Sequence, residues 1–317
     1  MKTAVKPAAA SGTGKYEGLL ERCRKLPPVP TAVAHPCEAS ALSGAVEAAR
    51  LKLIVPLLVG PVAKIKEVAK EAGIDLKGLE IIDAPHSHGS AEKAVALVRE
   101  GRAEVLMKGS LHSDEILAAI VSREKGLRTG RRVSHVFLMD VPTYHKVLLV
   151  TDAAISIAPT LEDKVDIIQN AIDLARSLGV EKPKVAILAA VETVTSKMPA
   201  TIDAAALCKM AERGQIRGGI LDGPLAFDNA ISKEAARMKG IDSEVAGDPD
   251  ILVAPDLEAG NILAKQLTFL AKADSAGLVL GAKVPVILTS RADSVRSRIA
   301  SCAVAVLVAH ARRAKAL

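Results

Sequence analysis

Residues 285–306 have the sequence PVILTSRADSVRSRIASCAVAV, in which a short apolar run, a polar loop and a helical pattern follow one another. Apolar residues recur at positions 295, 299, 302 and 306, the spacing of one helix face. The run 285–288 predicts a buried strand, and either Asp293 or Ser294 is placed to cap the helix that follows. A strand that leads directly into a helix is half of a βαβ unit, so this stretch predicts a parallel sheet.

The same alternation of strand and helix extends outward from this stretch. Further apolar runs of strand length lie at 53–59, 80–83, 103–107, 133–139, 146–151, 184–190, 218–221, 251–253 and 277–280. Amphipathic helical patterns lie between them over 91–99 and 161–178, the second with Thr160 as its cap. This alternation predicts an α/β fold with mainly parallel sheet, and ligands of such folds bind beyond the carboxyl ends of the strands.

Length and composition limit the class of protein. At 317 residues, 50% hydrophobic and 25% charged, the chain is long enough for two globular domains. It has no apolar run of membrane-spanning length, and residues 1–14 are Ala-, Gly-, Ser- and Pro-rich, which predicts a flexible tail or linker and no secretory signal. The four cysteines (23, 37, 208 and 302) form no C-x-x-C pair, which favours reduced, mostly buried thiols in a cytoplasmic protein and excludes a zinc ribbon.

The distribution of charge predicts an anionic ligand. The net charge is +6, and the excess is concentrated in two segments. Residues 288–317 hold six Lys or Arg and one Asp, and residues 123–132 hold five Lys or Arg and one Glu. With two Tyr, three Phe and no Trp, the chain has few aromatic rings on which bases could stack, so nucleic acid is disfavoured as the ligand.

Several common catalytic motifs are absent from the sequence. It contains no G-x-G-x-x-G, no G-x-x-x-x-G-K-[ST], no H-E-x-x-H and no G-x-S-x-G. His86 and His88 could face one side of an extended segment, but no carboxylate or cysteine stands obviously beside them, so we predict no metal site. These absences favour chemistry that needs neither a nucleotide clamp nor a catalytic metal.

Two loops at predicted strand ends contain the candidate site residues. Ser290, Arg291 and Asp293 follow the strand at 285–288, where a guanidinium beside a helix amino terminus matches a phosphate or a carboxylate. A second loop, of Lys108, Gly109 and Ser110, follows the strand at 103–107 and offers a cation and a glycine that lets backbone amides approach an anion. The alternative interpretation is that Asp293 only caps the helix, that Arg291 is a surface residue and that the second loop is an ordinary turn. Acidic loops at 222–228 and 254–261 also follow strands, and four such loops fit one shared cleft.

Five strings of residues together resemble the phosphate acetyltransferase and phosphate butyryltransferase family. They are MKGS (107–110), TDAAISIAP (151–159), DGPLAFDNAIS (222–232), APDLEAGNIL (254–263) and TSRADS (289–294). The resemblance implies two α/β domains of the isocitrate or isopropylmalate dehydrogenase type with a cleft between them, usually in a homodimer. Domain I is then expected at 15–132 plus 285–317, and domain II at 133–284.

The resemblance also implies a reaction, the reversible transfer of a short acyl group between coenzyme A and inorganic phosphate in a ternary complex. Both molecules are substrates, so no permanently bound cofactor and no metal are expected. Ser290 and Arg291 match the catalytic pair of the family, and Lys108, Gly109 and Ser110 match its substrate-binding loop. Acetyl-transferring members often have an aspartate as general base where this chain has Ser297, so Asp293 is our candidate base.

Other questions are left open by the sequence. The chain could be a catalytically impaired sensor of coenzyme A or acyl phosphate, or a metal-dependent decarboxylating dehydrogenase of similar fold, for which we find no aspartate cluster. The TSRADS string resembles the butyryl-transferring members more than the acetyl-transferring ones. The natural chain could also be fused to an enoyl-CoA hydratase-like domain. No membrane or nucleic-acid partner is expected. Candidates for contacts to the coenzyme A 3′-phosphate are Arg123, Lys125, Arg128, Arg131, Arg132, Arg296 and Arg298.

Overall fold

The computed structural model of the chain describes residues 14–290 and 293–314, and in them strands and helices alternate. The strands are β1 (Val29–Ala34), β2 (Ile54–Gly60), β3 (Glu80–Asp83), β4 (Val105–Lys108), β5 (Ser134–Asp140), β6 (Leu148–Thr151), β7 (Lys184–Leu188), β8 (Ile220–Leu225), β9 (Ile251–Val253), β10 (Asp274–Leu280) and β11 (Val286–Ile287). The expected tail or linker at 1–14 lies, except for Gly14, outside the described residues.

Eleven helices lie between or beside the strands in these residues. They are α1 (Lys15–Arg24), α2 (Ala39–Arg50), α3 (Val62–Glu71), α4 (Ser87–Arg99), α5 (Ser113–Val121), α6 (Leu161–Ser177), α7 (Pro199–Glu212), α8 (Phe227–Ile231), α9 (Lys233–Met238), α10 (Leu257–Phe269) and α11 (Val295–Arg313). The α/β fold expected from the sequence is therefore confirmed.

One sheet of eleven strands passes through the molecule, in the order β3-β2-β1-β4-β11-β10-β5-β6-β9-β7-β8. Pairing is parallel except where β10 meets β11 and β5, and where β5 meets β6. The mainly parallel sheet is confirmed, and the neighbouring strands β10 and β5, which are antiparallel to each other, join its two parallel parts. This order supports the division into domain I (15–132 plus 285–317) and domain II (133–284), which we retain as a proposal.

The strand predictions differ from the structure in three informative places. Strand β1 was not predicted, because Pro30 and three alanines or threonines interrupt its apolar pattern, yet it lies at the centre of the first parallel part. Strand β8 continues to Leu225, so Asp222 belongs to a strand and not to the loop expected at 222–228. Strand β10 begins at Asp274, three residues earlier than the apolar run at 277–280 indicates.

Helix α11 passes through the core beneath β10 and β11. It contacts α2, β10 and α1, and every residue from Arg298 to Ala309 is buried. The predicted stripe of 299, 302 and 306 is buried, whereas Val295 at the start of the helix is exposed. Burying an aliphatic side chain stabilises the fold by about 1.5–3 kcal/mol, so this helix anchors the loop that precedes it.

The four cysteines are free thiols, and three of them are buried as the sequence predicted. Cys208 is partly exposed. Across the described ranges, every helix is too short or too polar to span a lipid bilayer.

Candidate active site

A short turn follows β11 and contains two of the predicted catalytic residues. The backbone N–H of Ser290 donates to Oδ2 of Asp293 at 2.6 Å, and the N–H of Asp293 donates to the carbonyl oxygen of Ser290 at 3.2 Å. Ser290 is exposed, so the turn presents this residue to solvent. Arg291, the third predicted catalytic residue, lies with Ala292 outside the described residues.

Ser294, and not Asp293, caps helix α11. The Oγ of Ser294 accepts a hydrogen bond from the N–H of Ser297 at 3.1 Å, the usual bond of a helix cap. The interpretation of Asp293 as the cap is therefore wrong, because its carboxylate closes the turn at Ser290 instead. A carboxylate held in this way is available to orient the turn that carries the candidate serine.

Lys108 lies beside this turn. Strands β4 and β11 are parallel neighbours that pair Met107 with Ile287, so their carboxyl ends lie side by side. The Lys108 side chain is 4% exposed, and its Nζ donates to the carbonyl oxygen of Thr289 at 3.3 Å. The two strand-end loops that the sequence indicated are thus adjacent, and a buried positive charge lies directly behind the turn.

Gly109 and Ser110 join this loop to the segment after β1. The N–H of Gly109 donates to the carbonyl oxygen of Ala34 at 2.8 Å, and a Cβ at Gly109 would lie only 2.4 Å from that oxygen. Ser110 donates from Oγ to the carbonyl oxygen of His35 at 2.7 Å and accepts from the N–H of Cys37 at 3.1 Å. In this structure the glycine therefore permits two backbones to approach closely, and its amide is engaged within the protein.

Arg298 holds the turn from the opposite side. Its guanidinium donates to Oγ1 of Thr289 at 2.7 Å and to the carbonyl oxygen of Ser290 at 3.0 Å. Arg298 was one of the candidates for the coenzyme A 3′-phosphate, and at 2% exposed its guanidinium is not accessible to that group in this structure. Burial lowers the pKa of this guanidinium, while the negative charges of Asp293 and Glu38 act in the opposite direction.

His135 is the second residue of β5 and is 1% exposed. Burial lowers the pKa of His135, whereas the charge of Asp152, a backbone hydrogen bond at Leu288 and the charge of Asp293 act in the opposite direction, so the neutral imidazole is favoured. Its Nδ1 is buried without a hydrogen-bond partner in the described part of the chain.

Two successive carbonyl oxygens before and within the turn therefore have nitrogen partners from two different elements. Lys108 of β4 donates to that of Thr289, and Arg298 of α11 donates to that of Ser290. Both of these side chains are almost completely buried. The backbone that leads to Ser290 is thus fixed by the core and not by the surface.

The loops of two further quoted strings meet each other. Asp152 follows β6, is buried, and accepts hydrogen bonds from the backbone of Ala154, Ile155 and Ser156 at 3.0–3.2 Å. The Nδ2 of Asn261 in α10 donates to the carbonyl oxygen of Ala153 at 3.0 Å. The strings at 151–159 and 254–263 thus form one structural unit.

Asp222 and Asp228 take part in local contacts. Asp222 accepts from the N–H of Gly223 at 2.8 Å, within its own strand. Asp228 lies 3.6 Å from Nζ of Lys239, which also pairs with Glu192 at 2.9 Å. Within residues 14–290 and 293–314, no hydrogen bond joins either aspartate to the turn at Ser290.

Three of the seven basic residues proposed for contacts to the coenzyme A 3′-phosphate have acidic partners. Arg132 pairs with Asp163 at 2.9 Å, and Arg131 pairs with Asp173. Arg296 pairs with Asp274 at 2.9 Å and Glu17 at 3.1 Å, and its guanidinium stacks 3.7 Å from the centre of the Tyr16 ring. Arg123, Lys125 and Arg128 are exposed.

His86 and His88 are separated by their partners. Nδ1 of His86 accepts from the N–H of Gly89 at 3.0 Å and caps α4, while Nδ1 of His88 contacts Oε1 of Glu115 at 2.9 Å. Burial tends to raise the pKa of Glu115, but hydrogen bonds from Ser87 and from the backbone of His112 lower it below its usual value. Among the described residues, no group of three or more His, Cys, Asp and Glu is arranged to hold a metal ion.

The arrangement brings a hydroxyl, a carboxylate and two buried cations to the carboxyl ends of β4 and β11. Such a place favours the binding of an anion and the stabilisation of negative charge that develops there. The sequence did not indicate the part played by His135 or Arg298. A signal was available for His135, because it is the single basic residue within the otherwise apolar strand at 134–139.

Comparisons with known proteins agree on one family. Residues 86–306 match the family described as phosphate acetyl/butaryl transferase. The chain is 64% identical over 300 residues to a phosphate acetyltransferase of Rhizobium meliloti. This match covers 95% of this chain and 95% of that relative. It is 42% identical over 294 residues to a phosphate butyryltransferase of Clostridium beijerinckii, which covers 93% of this chain and 97% of that relative.

The structure agrees with the sequence comparison. A crystal structure of a branched-chain phosphotransacylase from Enterococcus faecalis V583 matches 89% of this chain and 99% of its own, with a TM-score of 0.78 and 30% identity. The match therefore includes both parallel parts of the sheet.

Proposed function

This chain belongs to the phosphate acetyl/butyryl transferase family, and we infer from this membership that it is an acyltransferase. It transfers a short acyl group reversibly between coenzyme A and inorganic phosphate. The observation that supports the location of the reaction is the turn Ser290–Asp293, whose backbone is fixed by the buried Lys108 and Arg298. Coenzyme A and phosphate are substrates, and we propose that no cofactor is permanently bound.

The proposed reaction is a direct transfer between two bound substrates. An oxygen of hydrogen phosphate attacks the thioester carbonyl, and the carbon–oxygen bond forms as the carbon–sulfur bond breaks. The departing sulfur receives the proton that the hydrogen phosphate loses. Negative charge develops on the carbonyl oxygen and on the sulfur, and preorganised cations lower the barrier where that charge appears.

We assign roles to the residues of the turn on this basis. Arg291 binds the phosphate and stabilises the charge of the transition state, since a guanidinium fork matches phosphate oxygens. Ser290 donates a hydrogen bond to the acyl phosphate or to the coenzyme A sulfur. Lys108, with Gly109 and Ser110, forms the phosphate side of the site and contributes a buried positive charge.

Asp293 is the proposed base toward the coenzyme A thiol. Its carboxylate accepts a hydrogen bond from the N–H of Ser290, and it is our candidate because this chain has Ser297 where acetyl-transferring members often have an aspartate. A general base must come within hydrogen-bonding distance of the proton it removes, and a carboxylate in the same turn as the catalytic serine satisfies this need.

The experiment that tests the function is thiol release from acetyl-CoA and from butyryl-CoA, with and without phosphate and in the presence of EDTA. Release that requires phosphate and is unchanged by EDTA is expected. The Ser290→Ala variant is expected to lose about 10²-fold in kcat. The matched control is Ser177→Ala at the end of α6, a partly exposed residue remote from the turn.

Absence of phosphate-dependent release from either thioester would contradict the proposal. The ratio of the two rates gives the acyl preference, because each methylene in an apolar pocket contributes only about 1–3 kcal/mol to discrimination. The family membership favours neither the impaired sensor nor the decarboxylating dehydrogenase.

We further propose that the enzyme is a cytoplasmic homodimer. Free thiols support the location, since reduced cysteines are usual in the cytoplasm. Phe269 and Leu270 at the end of α10 are 75% and 79% exposed, and adjacent exposed apolar side chains are typical of subunit contacts. Fusion to an enoyl-CoA hydratase-like domain remains a prediction.

A further inference from the structure

Arg298 is a buried cation that no acidic side chain neutralises by contact. It takes part in no ion pair in the described residues, and both of its hydrogen bonds go to neutral oxygens, Oγ1 of Thr289 and the carbonyl of Ser290. Its Nε is buried without a partner in the same residues. Moving a guanidinium out of water is unfavourable, and hydrogen bonds to two neutral oxygens compensate only part of that loss of hydration.

Helix α2 has a glycine where the Arg298 side chain crosses it. A Cβ at Gly44 would lie 2.7 Å from Cδ of Arg298, closer than a real Cβ contact. A glycine within a helix makes the helix less stable than an alanine would, because its backbone loses more conformational freedom on folding. The position of the Arg298 side chain therefore requires two features that are unfavourable for stability, a glycine within α2 and a buried charge.

Gly44 and the burial of Arg298 together allow the guanidinium to hold the turn in place. The guanidinium spans Thr289 and Ser290, so it fixes the side chain of one residue and the backbone of the next. It also places a full positive charge behind the residue that the proposed function puts against an anionic substrate. A buried charge without a carboxylate partner acts on a nearby anion more strongly than an exposed charge does.

We propose that Arg298 is a positioning residue for acyl transfer, which fixes the Thr289–Ser290 backbone and provides the buried positive charge that a bound phosphate neutralises. This inference rests on the proposed function of the same turn. Arg298 does not touch substrate in this proposal, because it is covered by Gly44, Thr289 and Ser290. Its effect on the reaction passes through the turn and through the electric field.

The first test compares Arg298→Lys with Arg298→Met by steady-state kinetics. Methionine is expected to lower kcat by about 10²-fold, the effect of a small displacement of a catalytic group. The KM for phosphate is expected to rise several-fold, with the KM for coenzyme A within twofold of wild type. Lysine keeps the positive charge but lacks the forked donors of the guanidinium. We therefore expect kcat of Arg298→Lys to be about tenfold higher than kcat of Arg298→Met.

A second test displaces the arginine without changing it. Gly44→Ala forces a Cβ against Cδ of Arg298 and is expected to lower kcat about tenfold. The matched control is Gly18→Ala in α1, where nothing lies within 4 Å of the added Cβ, and no change in kcat is expected. Thermal unfolding of each variant gives the folded fraction, and kinetic constants are referred to folded protein.

The outcomes separate this proposal from the proposed function. If wild type shows phosphate-dependent thiol release and folded Arg298→Met stays within twofold of its kcat, the positioning role is overturned and the function stands. If Arg298→Met does not fold, a Gly44→Ala variant with unchanged kcat overturns it equally. If lysine and methionine give the same loss with unchanged KM for phosphate, the charge has no part. An inactive wild type overturns both proposals.

Discussion

Two groups of partly or fully buried charges lie at opposite ends of strands in this molecule, and they are built differently. The first is the turn region, where Lys108 and Arg298 bind carbonyl and hydroxyl oxygens at the carboxyl ends of β4 and β11. The second group lies at the amino ends of β6, β7 and β9. Its members are Lys146, Lys184, Asp248 and Asp250.

In the second group every ammonium contacts a carboxylate. Lys184 lies 2.7 Å from Asp248, and Lys146 lies 3.1 Å from Asp248 and 2.8 Å from Asp250. Burial acts to raise the pKa of Asp248, but hydrogen bonds from the two lysines lower it far below its usual value. Charges that form ion pairs within the protein stabilise the fold. The charge of Arg298 is hydrogen-bonded only to neutral oxygens, so its electric field can act on a bound ligand.

The largest expected effect is on activity in the turn region. Arg291→Ala is expected to lower kcat about 10³-fold, because it removes the proposed phosphate contact and transition-state charge. The melting temperature is expected to stay within a few degrees of wild type. Steady-state thiol release measures kcat, and thermal unfolding measures the melting temperature. Arg24→Ala, on the exposed side of α1, is the control. An Arg291→Ala variant with more than a tenth of wild-type kcat would contradict the idea that the turn region serves the reaction and the second group serves stability.

The next largest effect is on stability in the second group. Asp248→Asn is expected to lower the free energy of unfolding by about 2 kcal/mol at pH 7, because two ammonium groups lose a charged acceptor. Its kcat is expected to stay within twofold of wild type. Urea unfolding measures the change, and the exposed Asp242→Asn is the matched control. Loss of activity without loss of stability would show that the second group also serves the reaction.

The pH dependence of stability follows from the same carboxylate. The pKa of Asp248 is lower in the folded than in the unfolded chain, so its contribution is complete above the unfolded value of about 4. That contribution is lost as the pH falls toward the folded value. We expect about 1 kcal/mol to be lost from this group between pH 5 and pH 3. Unfolding of wild type and Asp248→Asn at both pH values tests this, and an equal slope in the two proteins would contradict it.

The smallest expected effect concerns neutral groups near Arg298. Burial raises the pKa of Cys23 and of Cys302 to about 12, so at pH 8 only about one thiol in 10⁴ is ionised. We expect neither cysteine to react with iodoacetamide in the folded protein, and both to react in urea. Mass spectrometry of peptides gives the labelled fraction. Rapid labelling of Cys302 in native protein would show that the α11 core opens and that Arg298 is not permanently buried.

The periodicity of the sequence predicted most of the fold. Strands β3 and β9 lie where the apolar runs placed them, and α6 begins at the predicted residue. Strand β1 was missed because its pattern is weak, and its strand conformation is set by neighbours on both sides, β2 and β4. Pairing partners of this kind are far away in sequence, so a local pattern does not contain them.

The candidate site was predictable in its loops but not in its contacts. The sequence placed Lys108 and Ser290 at the ends of two strands, and parallel pairing of β4 with β11 brings them together. It assigned the helix cap to Asp293 or Ser294 without deciding, and it named Arg298 as a candidate for the coenzyme A 3′-phosphate. Hydrogen-bond geometry decided the first, and the packing of α11 against α2 decided the second.

The sequence by itself determined the alternation of strands and helices, the parallel sheet and the family, because these depend on residue type and spacing along the chain. Only the tertiary structure decided which polar groups are matched and which are not. Whether a charge stabilises the fold or acts on a substrate depends on what lies within a few ångströms of it. Arg298 is one residue of a helical pattern in the sequence, and it becomes a buried, unneutralised cation only after α2 and the turn close over it.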